Sequence, residues 1–462
     1  MSWLTGGLVT ACHVPAETFE PGKKIKGQVL AGTKGVADVV VSDGYSVILT
    51  DSKGKYELEP NPAATNIFIS TPPGYAFNTE NGIARHYHAI KNITNRKKVN
   101  FDLVRLDHDD NEHQFIIWAD PQVKNKSDVD KLMSQSVPDV QKLVSTAGNA
   151  ALLHGITVGD IVWDELQLFS DYSKAVEKMG IPFFQCLGNH DMDYNKGGDE
   201  ASDQTFQQAF GPTHYSFNRG KVHYVVMDDV RYLGKNREYD GYFSQNQLSW
   251  LQKDLSFVPK DRLIVLCVHI PVHNGVKNNE ALYALLEGRN VHIMSGHTHY
   301  HRNVIKGNVY EHNHGTVCGA WWTGPICGDG TPCGYGVYSV KGTELQWHYK
   351  ATGQEENHQA NIFIEEVNGQ KEAHINIWNH DPAWKTEYWV DGTASGSLEQ
   401  FTGFDPHAYA TLLGPSLPNP RGFAEPRKTE HMFKAKLPTG SKEIKVTATD
   451  RFGKKYTVSH KI

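Results

Sequence analysis

Five short polar clusters in this sequence carry the residue types that hold metal ions. They are Asp120-Pro121-Gln122, Gly159-Asp160, Gly188-Asn189-His190-Asp191, His269, and Gly296-His297-Thr298-His299. Carboxylate oxygens, amide oxygens and imidazole nitrogens are ordinary ligands of divalent cations. Two such cations about 3.5–4 Å apart can clamp a phosphoryl group and hold a hydroxide between them for in-line attack. A shared carboxylate keeps the cations close despite their repulsion, and Asp160 is the natural candidate. Asp120 and Gln122 would hold the first cation. Two dications against two carboxylates leave the site positive, so phosphate is attracted without any Lys or Arg. Taken singly, Asp120 before Pro121 would cap a helix, and His269 would be a core histidine. The chemistry comes from having all five clusters.

These side chains can act together only if the fold delivers them to one place. Each cluster follows a short apolar run: Phe115–Trp118, Ile156–Val158, Phe183–Leu187, Leu263–Val268 and Val291–Ser295. Such runs, closed by a turn, read as buried strands. Helical patterns lie between them, over Ser127–Thr146, Asp164–Met179, Ser244–Leu255 and Asn278–Leu286. Alternation of this kind predicts an α/β domain over residues 112–350. Ligand sites of such sheets lie at the carboxyl ends of the strands. Residues 23–104 alternate apolar and polar positions between Gly-rich turns and predict a small β-sandwich. Residues 360–462, after a polar linker, predict a β-rich C-terminal domain. Residues 1–22 form a separate N-terminal segment.

The ordered clusters resemble the calcineurin-like metallophosphoesterase family, whose motifs run D-x-H, G-D, G-N-H-D, H and G-H-x-H. The resemblance implies a four-layer α/β/β/α core. It implies that Asp120, Gln122, Asp160 and His299 bind one metal, and that Asp160, Asn189, His269 and His297 bind the other. His190 would protonate the leaving oxygen or grip the phosphoryl group, with Asp191 orienting it. Gln122 stands where the family usually has His. Its neutral, hard oxygen favours Mg, Mn, Ca or Fe over a zinc site built on thiolate and imidazole. The expected cofactors are two divalent ions, Mn, Mg, Fe or Zn. The β modules on either side resemble a three-part bacterial branch with a transthyretin-like front, whose members are often envelope proteins.

The expected activity is hydrolysis of a small phosphoester, with a monoester as substrate. The alternatives are a phosphodiesterase acting on nucleotide or lipid diesters, and a non-catalytic envelope binding protein with a decayed core. A net charge of -6 and the lack of a long basic run argue against a nucleic-acid partner. Val9-Thr10-Ala11-Cys12 resembles a lipoprotein cleavage box, so Cys12 is a candidate membrane tether in an envelope protein; otherwise the chain is soluble and cytoplasmic. Cys318, Cys327 and Cys333 lie close enough in sequence for a pair to bridge. Adjacent Trp321 and Trp322 cannot both point inward on a strand, so one would face the substrate. His314 and Asp329 are further candidates for the pocket. Arg421 and Arg427, in a Pro-rich stretch, are candidates for reaching a substrate phosphate.

Overall fold

The computed structural model describes residues 22–94, 98–149, 152–413 and 424–462. Cys12 and Arg421 lie outside these residues. Two sheets form the centre. The first has the strand order Glu344–Ala351, Gly334–Lys341, Glu112–Trp118, Leu153–Val158, Phe183–Cys186, Ile83–Ala84 and Thr79–Glu80. The second has the order Tyr215–Arg219, Val222–Val226, Leu263–Cys267, Asn290–Ser295, Val309–Asn313 and Arg302–Lys306. Leu153–Val158, Phe183–Cys186 and Leu263–Cys267 are buried along their whole length. Apolar residues on both faces of a parallel strand require cover on both sides.

The inner faces of the two sheets meet through aromatic contacts. Phe184 stacks on Phe217 at 3.7 Å between centroids. Phe115 meets Tyr224 edge-on at 5.4 Å. Helices Val137–Thr146 and Phe169–Met179 pack on the outside of the first sheet, where the Tyr172 hydroxyl bonds Thr157 at 2.6 Å. Helices Gln245–Leu255 and Asn279–Leu286 cover the second. The layers run helix, sheet, sheet, helix.

The first expected helix is continuous over Lys126–Thr146, with a wider turn at Leu132–Ser136. The second starts later than expected. Asp164 has φ 59° and a short turn at Leu166–Leu168 precedes the helix proper at Phe169. That left-handed residue is put to use in the site described below. Helices at Gln204–Phe210 and Pro406–Leu412 were not foreseen.

Residues 25–103 build two small sheets around Val29, Val41, Ile67 and Phe101. Two of their strands, Thr79–Glu80 and Ile83–Ala84, join the central sheet. Residues 361–461 form two four-stranded sheets around Ile375, Phe433, Ile444 and Val446. Cys186, Cys267, Cys318, Cys327 and Cys333 are all free thiols, so no pair bridges among the described residues. No helix among the described residues is long and apolar enough to cross a membrane.

Candidate metal centre

The five clusters converge at one end of the double sheet. The loops after Glu112–Trp118, Leu153–Val158 and Phe183–Cys186 come from the first sheet. Those after Leu263–Cys267 and Asn290–Ser295 come from the second. The site therefore straddles the gap between the sheets. Ligand atoms of Asp160, His269 and His297 all lie within 4.8 Å of one another.

Tight loops place them. Asp120, Gln122, Asp160, His297 and His299 have φ between 38° and 70°. Left-handed backbone at non-Gly residues costs about 1–3 kcal/mol each and persists only where the surroundings over-determine it. Here those surroundings are crowded. A Cβ at Gly159 would run into the His269 ring, and one at Gly188 into the backbone and carboxylate of Asp160. One at Gly296 would run into the Asp120 carboxylate.

Asp160 lies at the centre. Its Oδ2 accepts from Gln122 Nε2 at 3.0 Å, and its Oδ1 accepts from the His190 backbone N–H at 2.9 Å. His269 Nε2 faces Asp160 Oδ1 at 3.2 Å, Asn189 Oδ1 at 3.1 Å and His297 Nδ1 at 3.1 Å. The other ring nitrogen, Nδ1, donates to the Val158 carbonyl at 2.9 Å. His299 is fixed in the same way: Nδ1 donates to the Gly319 carbonyl at 2.6 Å, and Nε2 looks toward Asp120 Oδ1 at 3.6 Å. A carbonyl that fixes the outer nitrogen is how a metal-binding histidine is oriented. Three electron-rich atoms around His269 Nε2 are more than one proton can bridge, so this donor set fits a cation.

Charge in the metal-free site reflects the same crowding. Burial, opposed by His269 and reinforced by Asp160, pushes the Asp120 carboxyl up to about 8. Against its own burial, the charges of His269 and His190 hold Asp160 below the usual carboxylate range. Against burial, Asp160 raises His269 to about 10. Burial lowers His299 to about 4 and His297 to about 3, so both keep a lone pair for ligation. Gln122 turns its amide N–H₂, not its oxygen, toward Asp160. To ligate, the amide must turn over.

Several expectations change. Asp191 does not orient His190. It is fully buried, and its carboxylate accepts the backbone N–H groups of Ile161, Val162 and Gly188 at 2.9–3.1 Å. It braces two site loops through these three bonds, and its carboxylate is directed at the backbone rather than at the imidazole. The His190 partner is Asp164, whose Oδ1 accepts from Nδ1 at 2.7 Å. The second oxygen of Asp164 pairs with the Arg237 guanidinium.

His314 is a core residue, bonded to the Ser295 carbonyl at 2.9 Å and the Tyr338 hydroxyl at 2.7 Å. Asp329 is also fully buried. It accepts from the His301 N–H at 2.8 Å, the Thr331 hydroxyl at 2.8 Å and His431 Nε2 at 3.0 Å. That network ties the last cluster to the C-terminal domain, so Asp329 does not face the substrate. Trp322 is buried and its indole N–H donates to the Pro121 carbonyl at 2.9 Å. Only Trp321 of the pair reaches the site, stacked on His299 at 4.3 Å.

Sequence reading missed Asp164, Trp163 and Asp229. The Asp229 carboxylate accepts the backbone N–H groups of His269 and Ile270 at 3.1 Å and so fixes the fourth loop. It lies just past Asp228 at the end of the apolar run Tyr224–Met227, the same kind of signal that marked the other loops. Asp164 and Trp163 lie four and three residues past Asp160, Asp164 as the first residue of the expected helix and Trp163 just before it.

Family models match the chain in three stretches. The model for the N terminal of calcineurin-like phosphoesterase covers residues 23–106, calcineurin-like phosphoesterase covers 137–301, and its C terminal covers 311–456. The middle match begins after Asp120 and Gln122. No curated protein matches. Among solved structures, a dimetal phosphatase from Danio rerio is 14% identical, covering 52% of this chain and 96% of its own, with a TM-score of 0.40. The purple acid phosphatase PPD1 from yellow lupin (Lupinus luteus) is 12% identical, covering 68% and 67%, with a TM-score of 0.40. The GAP50 anchor of the Plasmodium inner membrane complex is 14% identical, covering 52% and 84%, with a TM-score of 0.35.

Proposed function

This chain belongs to the calcineurin-like phosphoesterase family and is a metal-dependent phosphoester hydrolase, and from that premise we propose that its substrates are phosphomonoesters. The observation that carries the reading is the convergence of Asp160, His269 and His297 within 4.8 Å. Asp120, Gln122, Asp160 and His299 would hold one divalent ion, and Asp160, Asn189, His269 and His297 a second. Bound there, the ions would supply Lewis-acid charge to the phosphoryl oxygens and activate the attacking water.

The protein residues do the rest. His269 and His299 are locked by the Val158 and Gly319 carbonyls, which leaves Nε2 of each for ligation. Asp164 accepts from His190 Nδ1, so Nε2 is the atom that can carry a proton to the leaving oxygen. Trp163 lies against the same imidazole at 4.7 Å and limits its movement. The nearby cations are engaged: Arg237 pairs with Asp164, and Lys124 sits 5.0 Å over the Trp163 ring. Bound metals would therefore meet most of the substrate charge. A site with two dications and two carboxylates attracts a dianionic monoester more strongly than a monoanionic diester.

The test compares nitrophenyl phosphate with its bis-nitrophenyl diester, using chelated protein reloaded with Mn. Turnover of the monoester is expected to dominate. Turnover confined to the diester would overturn the monoester reading. Asp160→Asn should abolish turnover and metal retention while circular dichroism stays native; near-normal activity in that variant would sink the shared-ligand role.

A further inference from the structure

Three aromatic side chains lie against histidines of the site. Trp163 is tilted 34° against His190, with 4.7 Å between centroids. Trp321 stacks on His299 at 4.3 Å. The two indoles stand 71° apart with 6.1 Å between centroids. Tyr239 meets the His297 ring edge-on at 6.0 Å. All three rings are partly exposed. Both indoles are held where they are. Trp321 and Trp322 are consecutive left-handed residues at φ 55° and 61°, and the buried Trp322 is pinned through Pro121. Trp321 also packs on a small apolar cluster of Ala320, Ile326, Ala408, Leu412 and Ala424, to which the C-terminal domain contributes.

The position of these rings relates to the direction of the reaction. A proton leaving His190 goes to the oxygen of the departing alcohol, so that alcohol must lie beside His190. Trp163 lies against that imidazole, and Trp321 stands edge-to-face with Trp163. A flat ring on the alcohol can pack against the exposed parts of the two indoles and gain the offset and edge-on contacts that aromatic quadrupoles favour. A plain alkyl group gains only buried area there.

We propose that Trp163 and Trp321 bind a flat aromatic group on the alcohol side of the phosphoester, so that the preferred substrates are aryl-bearing phosphates. The proposal rests on the phosphomonoesterase reading and deepens it.

Binding of non-hydrolysable mimics tests it apart from turnover. Calorimetric titration of the Mn-loaded enzyme with benzylphosphonate and ethylphosphonate should show at least tenfold tighter binding of the benzyl compound. Trp163→Ala and Trp321→Ala should each cut that ratio below threefold, while Trp163→Phe and Trp321→Phe should keep most of it. Equal affinities in the unmodified enzyme would overturn the proposal, and that comparison needs no variant to fold. Tight benzylphosphonate binding without turnover of any monoester would keep the aromatic site and overturn the phosphomonoesterase reading. Equal phosphonate affinities with good turnover of both benzyl and ethyl phosphate would do the reverse. Given a benzyl preference, kcat/KM for a nucleoside 5′-monophosphate against ribose 5-phosphate identifies the ring: a tenfold preference assigns it to a base, and its absence to a small aryl group.

Discussion

The proton on His190 is set by a residue that does not neighbour it in sequence. Asp191 follows His190 directly, yet its carboxylate is spent on three backbone N–H groups. Asp164, 26 positions earlier, reaches the imidazole because its left-handed backbone turns the side chain back into the site. This predicts a leaving-group effect. Nitrophenolate departs without a proton, whereas an alkoxide needs one. His190→Asn should therefore lower kcat on an alkyl phosphate by about 10²–10⁴-fold, and on nitrophenyl phosphate by much less. Asp164→Asn should show the same split at smaller amplitude. Steady-state rates on the two substrates check both, and an equal loss on each would count against proton donation by His190.

Loops and strands position the ligands with little slack. A Cβ at Gly188 would run into the Asp160 backbone and carboxylate, so Gly188→Ala must move Asp160, the proposed shared ligand. We expect loss of bound metal, counted by elemental analysis, and a fall in activity of about 10²-fold or more. Gly148, with nothing within 4 Å of an added Cβ, is the control, and Gly148→Ala should retain both.

Helix Val137–Thr146 is tied to the sheet edge by a buried ion pair. Lys350 Nζ meets the Asp139 carboxylate at 2.8 Å, and the Tyr335 hydroxyl donates to the same carboxylate at 2.7 Å. Lys350→Met leaves Asp139 buried with its charge uncompensated, which costs about 3 kcal/mol. Denaturant unfolding should show that loss with little change in metal content, since the pair lies away from the ligand loops.

Across the whole molecule, buried neutral histidines set the response to acid. Burial lowers His86 and His292 to about 3, and His113 and His314 to about 4. Their unfolded value is about 6.5. Between these limits the unfolded chain binds more protons than the native one, so acid favours unfolding. Their contribution is intact above about pH 6.5 and is lost as pH falls toward 4, at about 1.4 kcal/mol per pH unit for each such group. Melting temperature measured from pH 7.5 to 4.5 should fall steeply below 6.5. His113→Phe should soften the fall, because it removes one of these buried titrating groups. A melting temperature flat across this range would contradict the burial of these rings.

The sequence by itself determined the candidate ligand types, their order and the apolar run before each. Those runs are local, and a buried strand closed by a polar turn leaves its mark in consecutive residues. It also determined four core helices through their apolar spacing. Long-range packing decided the rest. Asp164 read as a helix start because nothing near it in sequence shows that His190 would come within 2.7 Å. His314 and Asp329 read as pocket residues because their partners, Tyr338 and His431, lie 24 and 102 positions away. Strand alternation predicted one inward and one outward ring for the Trp pair, but both residues lie in a left-handed turn, so the split has a different cause. Which ring faces the site was fixed by the Pro121 carbonyl holding Trp322 in the core, 201 positions along the chain. Residue type and local period are written in the chain, but the partner of a buried polar group is chosen only when distant strands pack.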